Sequence, residues 1–215
     1  MGKNCSRFSA IDGRFKVNSK HYSNYFLQTS SIFETFAKND LVMDEIVKIQ
    51  NLIIEALEHQ KNIFWCGNGG SASDAEHLAA ELVGRFERNR QPLNSMALTT
   101  NSSIITAISN DFGYDYIFER QIEALGHQGD VLISISTSGD SVNVIKGIEK
   151  AKSLGIKTVS LLGKSGGTAL SISDHYILVD SNVTSHIQEL HIAIGQALCG
   201  QIEKYFSETK TSHDN

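Results

Sequence analysis

His77 and Glu81 stand four residues apart in a stretch, Ala72–Phe86, whose apolar spacing predicts a helix. At that spacing both side chains leave one helix face and can point at one site. An imidazole and a carboxylate so placed suit a zinc ion, and the Glu81 carboxylate also suits proton transfer as a base. A surface pair has the same spacing. The run Cys66-Gly67-Asn68-Gly69-Gly70-Ser71 leads into this helix. Its glycines admit close backbone approach and positive φ. Ser71 or Ser73 is placed to cap the helix, and the free N–H groups there favour an anion. The run lacks the third glycine and ribose-binding acid of a dinucleotide fingerprint, and the GK[ST] of a Walker A loop. A tight turn without a ligand accounts for the same glycines.

A second loop, Ser136-Thr137-Ser138-Gly139-Asp140-Ser141, follows an apolar run and precedes a helical pattern. Ordinary capping needs one or two hydroxyls. Here Ser136, Thr137, Ser138 and Ser141 cluster at a helix start, where hydroxyls and backbone amides can hold a phosphomonoester without a lysine. Asn110-Asp111-Phe112-Gly113 reads as a polar turn, in which Asp111 either binds a sugar hydroxyl or caps the next helix. Gly163-Lys164-Ser165-Gly166-Gly167 reads as a flexible surface loop. On the C-terminal helix, at about 100° per residue, His191 lies roughly 60° to one side of Gln188 and Gln196 roughly 80° to the other. His191 and Gln196 therefore do not serve one small site together.

The elements that must position these residues follow from the apolar pattern. Runs at Asn62–Cys66, Ser95–Leu98, Val131–Ser136, Thr158–Leu162 and Tyr176–Val179 alternate with helical stretches near Ala72–Phe86, Ser102–Ser109, Tyr114–Leu125, Val142–Leu154 and Thr184–Phe206. The expected fold is α/β, a three-layer αβα sandwich around a five-stranded parallel sheet of flavodoxin-like type. Ligands in such sheets sit beyond the carboxyl ends of strands, where both loops fall. Two further helices, broken near Lys38–Asp40, cover Tyr22 to Gln60, and their apolar face packs on its own domain or on a partner subunit. Residues 1–20 read as a flexible arm, and residues 21–215 as one domain.

Bulk properties narrow the classes. The 215 residues carry a net charge of −5, which offers no general field for nucleic acid. Cys5, Cys66 and Cys199 make neither a disulfide framework nor a zinc-finger spacing and read as reduced thiols of a cytoplasmic protein. No opening apolar run resembles a signal peptide, and no stretch of about 18 apolar residues suggests a membrane span.

The segments FWCGNGGSASDAEHLAAELVGRF, SNDFGYDYIFERQIEALG, GDVLISISTSGDSVNVIKGI and HIQELHIAIGQALC resemble the phosphoheptose isomerase family of the SIS (sugar isomerase) superfamily, in order from about Tyr22 to Phe206. The resemblance implies a homotetramer acting on a phosphorylated seven-carbon sugar. The implied reaction converts sedoheptulose 7-phosphate to D-glycero-D-manno-heptose 7-phosphate, towards heptose for lipopolysaccharide or related glycans. It implies phosphate on Ser136, Thr137, Ser138 and Ser141. Substrate contacts would come from Asn68, Gly69, Gly70, Ser71, Glu81, Arg85, Asn110, Asp111 and Gln188. It implies a zinc ion (Zn2+), one per subunit, on His77, Glu81, Gln188 and the position of Gln196, with Glu81 and position 196 moving protons. The family has histidine at that last position. Glutamine does not titrate and is a poor zinc ligand, so the zinc is expected to be weakened or absent and turnover impaired. Related SIS proteins that lack parts of this cluster associate with the bacterial replication initiator without catalysis, which is the alternative reading.

Overall fold

The computed structural model describes residues 18–209. Two N-terminal helices, α1 (Ser19–Ala37) and α2 (Asp40–Glu58), lead into β1 (Ile63–Gly67), α3 (Gly70–Val83), β2 (Ser95–Ala97) and α4 (Ser102–Phe112). A single 3-10 turn (Tyr114–Tyr116) and α5 (Glu119–Leu125) precede β3 (Val131–Ser136) and α6 (Val142–Ser153). The chain ends with β4 (Lys157–Gly163), α7 (Gly167–Ile172), β5 (His175–Val179) and α8 (Thr184–Thr209). The expected five-stranded parallel sheet is present, in the order β2-β1-β3-β4-β5.

The three central strands, β1, β3 and β4, are buried on both faces, so their residues sort alternately into two cores. Ile63, Trp65, Val131, Ile133 and Ile135 join Ile53, Leu78, Leu82, Ile194 and Leu198 beneath α2, α3 and α8. Phe64, Cys66 and Leu132 join Phe118, Ile122, Val144 and Ile148 beneath α5 and α6. The described cysteines, Cys66 and Cys199, are free and buried, and burial pushes both thiols up to about 12.

The strand order reverses between β1 and β3, whose pairing runs level to Gly67 opposite Ile135. The glycine loop and the serine loop therefore leave the sheet side by side at its switch point, where such folds bind ligands.

Several local expectations are corrected. Residues 18–20 are not part of an arm: Asn18 caps α1 with its side chain, and Ser19 and Lys20 begin the helix. The rest of the expected arm, residues 1–17, lies outside the described residues. The Asn110–Gly113 turn is instead the end of α4, which runs on to Phe112 because nothing before Gly113 breaks it. One helix expected over Tyr114–Leu125 is split into the 3-10 turn and α5.

The N-terminal helices pack on their own domain in part. Ile32, Phe33 and Phe36 of α1 lie against the core, and Tyr25 and Thr29 donate hydrogen bonds to the Glu189 carboxylate on α8. Tyr22, Phe26 and Leu27 nevertheless remain exposed, Phe26 by 66%. Helix α4 likewise has no buried residue, and Ile104 and Phe112 face outward. Among the described residues no helix is long and apolar enough to cross a membrane.

Candidate active site

The serine loop is held by hydrogen bonds that leave its hydroxyls available. Ser136 Oγ accepts the Gly139 N–H at 3.0 Å and Ser138 Oγ accepts the Asp140 N–H at 3.2 Å. Both oxygens act as acceptors there, so each O–H can still donate to an anion. Ser141 is the N-cap of α6 but makes no capping bond with its side chain. A tight neighbour fixes the loop. Gly139 has φ +72°, and a Cβ there would stand 1.9 Å from the Gly166 carbonyl oxygen. The Ala169 N–H donates to Gly139 O at 2.9 Å, and Asp140 Oδ1 accepts the Thr168 N–H and hydroxyl at 2.8 and 3.0 Å. Gly163–Gly167 is thus a packed brace for the serine loop, which corrects the expectation of a flexible surface loop.

The glycine loop is tied to the serine loop by amides. Asn68 and Asn143 exchange side-chain hydrogen bonds of 2.9 and 2.8 Å, and the Tyr114 hydroxyl donates to Asn68 Oδ1 at 2.9 Å. Asn68 is therefore a strut between β1 and α6. Gly69 is the N-cap of α3 and no side chain caps it, so neither Ser71 nor Ser73 takes the expected role; Ser71 is buried. At Gly70 the absence of a side chain admits Gln188, whose Nε2 would lie 2.5 Å from a Cβ. That contact brings the start of α8 onto the start of α3.

On α3, His77 Nε2–H donates to Glu81 Oε1 at 2.8 Å, with the imidazole exposed and the carboxylate more sheltered. Asp74, one turn earlier, has a buried Oδ2 without a partner; burial raises its pKa while His77 opposes the rise. Arg85 is exposed just beyond the helix. Asn110 and Asp111 bond each other at 2.7 Å on the last turn of α4, and Asp111 caps no helix.

His191 points away from this site, as the helical angles imply. It is fully buried, and its Nε2–H donates to Leu162 O at 2.9 Å. Burial depresses its pKa to about 4, against a smaller opposing effect of the Leu162 bond.

Gln196 lines a shallow depression with Phe86, Glu87, Arg88, Gly200 and Lys204, and makes no hydrogen bond to His77 or Glu81. Among the described residues no three His, Cys, Asp or Glu side chains are grouped to hold a metal ion. The four positions expected to bind zinc supply one imidazole and one carboxylate, bonded to each other, and two carboxamides. This donor set falls short of the three or four His, Cys or carboxylate ligands that zinc takes.

Asn143, Tyr114 and Asp74 were not among the residues read from the sequence. Asn143 and Asp74 carried a usable signal. Asn143 interrupts the apolar face of α6, and Asp74 precedes His77 by three on the same face. Tyr114 carried none.

A parallel αβα sheet with a glycine turn and a hydroxyl-rich turn meeting at its switch point is the build of a SIS domain, and the SIS domain family model matches residues 24–163. The chain is 54% identical over 157 residues to a phosphoheptose isomerase of Helicobacter pylori (strain Shi470), covering 73% of this chain and 82% of that protein. The solved phosphoheptose isomerase of Neisseria gonorrhoeae superposes with a TM-score of 0.81 at 36% identity, over 86% of this chain and 98% of that one. One from Francisella tularensis gives a TM-score of 0.84 at 32% identity, over 88% of this chain and 100% of that one. The chain belongs to the phosphoheptose isomerase family.

Proposed function

We propose that this chain is an aldose–ketose isomerase that converts sedoheptulose 7-phosphate to D-glycero-D-manno-heptose 7-phosphate. The observation that carries the reading is the His77–Glu81 pair at 2.8 Å on the helix that opens from the glycine loop, in a chain of the phosphoheptose isomerase family. In the reaction Glu81 takes a proton from C1 of the ketose, leaving an enediol, and returns it to C2 while a hydroxyl proton passes from O1 to O2. His77, bonded to Glu81, orients the carboxylate. Ser136, Thr137, Ser138 and Ser141 hold the phosphate, so that C1 and C2 are presented to Glu81 in a fixed place.

The exposed apolar residues of α1 and α4 support a homotetramer, because a monomer leaves Phe26, Leu27, Ile104 and Phe112 in water. The buried free thiols suit the cytoplasm, and the product suits heptose supply for lipopolysaccharide. No step is assigned to zinc, for want of ligands. Gln196 favours a second reading, a non-catalytic SIS protein that binds sugar phosphate and associates with the replication initiator.

The test is turnover of sedoheptulose 7-phosphate by this chain and by Gln196→His, with bound zinc measured on both. Turnover by the chain itself establishes the isomerase, and a gain of both activity and zinc in Gln196→His assigns the lost group to position 196. No turnover by either variant, with binding of a replication initiator, establishes the second reading instead.

A further inference from the structure

A buried ion pair lies at the end of α3, outside the residues that the sequence singles out. Glu203 on α8 is 1% exposed, and its carboxylate accepts the N–H groups of Phe86, Glu87 and Arg88 at 2.8, 2.6 and 2.8 Å. Successive amides converging on an anion form a nest, here filled by a carboxylate of the same chain. Arg90, its side chain equally buried, approaches the same carboxylate with Nε at 3.5 Å. Its other nitrogens donate to Glu81 O at 2.7 Å, Gly84 O at 2.9 Å and Gln91 O at 3.1 Å. The carbonyls of Glu81 and Gly84 belong to the helix end, where no further turn supplies donors. Burial opposes ionisation of Glu203, but the three amides and Arg90 outweigh it and hold its carboxyl below the usual range.

The consequence falls on the reacting groups. Glu81 sits on the turn whose carbonyl Arg90 grips. Arg85 lies between Gly84, bonded to Arg90, and Phe86, bonded to Glu203. Both neighbours of an exposed cation are therefore fixed by residues that touch no substrate. Gln196 and Gly200 adjoin the same segment from the α8 side.

We propose that Glu203 and Arg90 are positioning residues for the isomerisation, clamping the segment after α3 so that Glu81 and Arg85 address one substrate. The proposal rests on the isomerase reading above. It assigns them no contact with substrate and no proton. Their loss acts through misplacement, where about 1 Å can cost on the order of a hundredfold in rate.

The experiment compares the full chain with Glu203→Gln and Arg90→Lys, measuring kcat and KM for sedoheptulose 7-phosphate and amide hydrogen exchange at residues 86–88. Where only Gln196→His turns over, both substitutions are made in that background. The expected result is exchange at 86–88 at least about tenfold faster. With it, kcat falls about tenfold or more while KM stays within about threefold, because the serine loop still anchors the phosphate. Glu203→Asp is expected to recover part of kcat. Should Glu203→Gln fail to fold, Arg90→Lys, which keeps the charge but loses the forked donors, carries the same measurements.

Unchanged kcat in a folded variant whose melting temperature has dropped overturns the proposal, since that is the mark of a purely structural pair. Unchanged exchange at 86–88 overturns the clamp itself. If neither the chain nor Gln196→His turns over, the isomerase reading fails and the positioning role with it; fast exchange in Glu203→Gln then shows that the clamp exists and that the failure lies in the chemistry.

Discussion

The serine loop and the seam between α3 and α8 both start from the carboxyl ends of the parallel strands but are built to different standards. The serine loop closes on itself: Ser136 and Ser138 each accept an amide two or three residues on, and Gly139 is pressed against Gly166. Its geometry needs only one turn and one brace. The seam draws His77 and Glu81 from one helix and Gln188 and Gln196 from another, more than a hundred residues later in the chain. Gln188 is seated over Gly70, while Gln196 sits about 12 Å further along α8, beside Phe86. On the proposed reaction, anchoring is thus preset by local hydrogen bonds, whereas proton transfer depends on helix packing and on the identity of single residues. A substitution at position 196 can change the chemistry and leave the anchor untouched.

The largest expected effect breaks the seam alone. Glu81→Gln removes the carboxylate proposed as the base while keeping its size, so kcat is expected to fall by about 10²–10⁴-fold. KM is expected to stay within a few-fold, since the serine loop is unaltered. Steady-state kinetics across a range of sedoheptulose 7-phosphate concentrations measures the split. A comparable rise in KM with little change in kcat would mean that Glu81 binds substrate and does not act on it.

Gly139→Ala breaks the other region. A methyl group there meets the Gly166 carbonyl at 1.9 Å, and φ +72° disfavours any residue with a Cβ. Strain and overpacking together are expected to cost about 3 kcal/mol of folding stability. Sugar-phosphate affinity should fall about tenfold or more, because the hydroxyls lose their common direction. Urea denaturation and calorimetric titration with sedoheptulose 7-phosphate read the two effects separately. Retained affinity in a destabilised protein would show that the loop need not be held so tightly.

How much of this was legible in the sequence follows the same division. The central strands could be read closely because a parallel sheet buries both their faces, so Val131–Ser136 stands out as apolar on both faces, with only small serines between. The hydroxyl cluster was legible because its residues are neighbours in the chain. The Gly163–Gly167 segment was misread because glycine content reports conformational freedom, while the contact between Gly166 and Gly139 is tertiary and leaves no local trace. Ser71 was misread as a cap for a related reason: cap preference is a statistical tendency, and here Gly69 takes the position and Ser71 is buried within the first turn of α3. Glu203 and Arg90 were invisible, since a glutamate near a chain end and an arginine in a polar loop look like solvated charges until the fold brings them together. In the seam the His77–Glu81 pair could be read from its spacing, because both residues stand on one helix, whereas the departure at Gln196 required a family pattern to be recognised as one.

The smallest effect on activity is expected at His191, which separates the stability of α8 from the chemistry beside it. The imidazole is buried with its Nε2–H on Leu162 O, and its pKa is depressed from 6.5 to about 4. The unfolded chain therefore binds a proton that the folded chain refuses between those values. Its contribution to stability is fully present above pH 6.5 and is lost as pH falls towards 4, amounting to about 3 kcal/mol across the window. His191→Gln can keep a donor towards Leu162 and removes the titration, so its stability should depend less steeply on pH over this range. At pH 8 kcat should change less than about twofold, because the side chain is buried in the core against Leu162. Urea midpoints measured from pH 4 to 8 test the first statement and kinetics at pH 8 the second. A large loss of kcat in a stably folded His191→Gln chain would move His191 into the seam and undo the separation between packing and proton transfer.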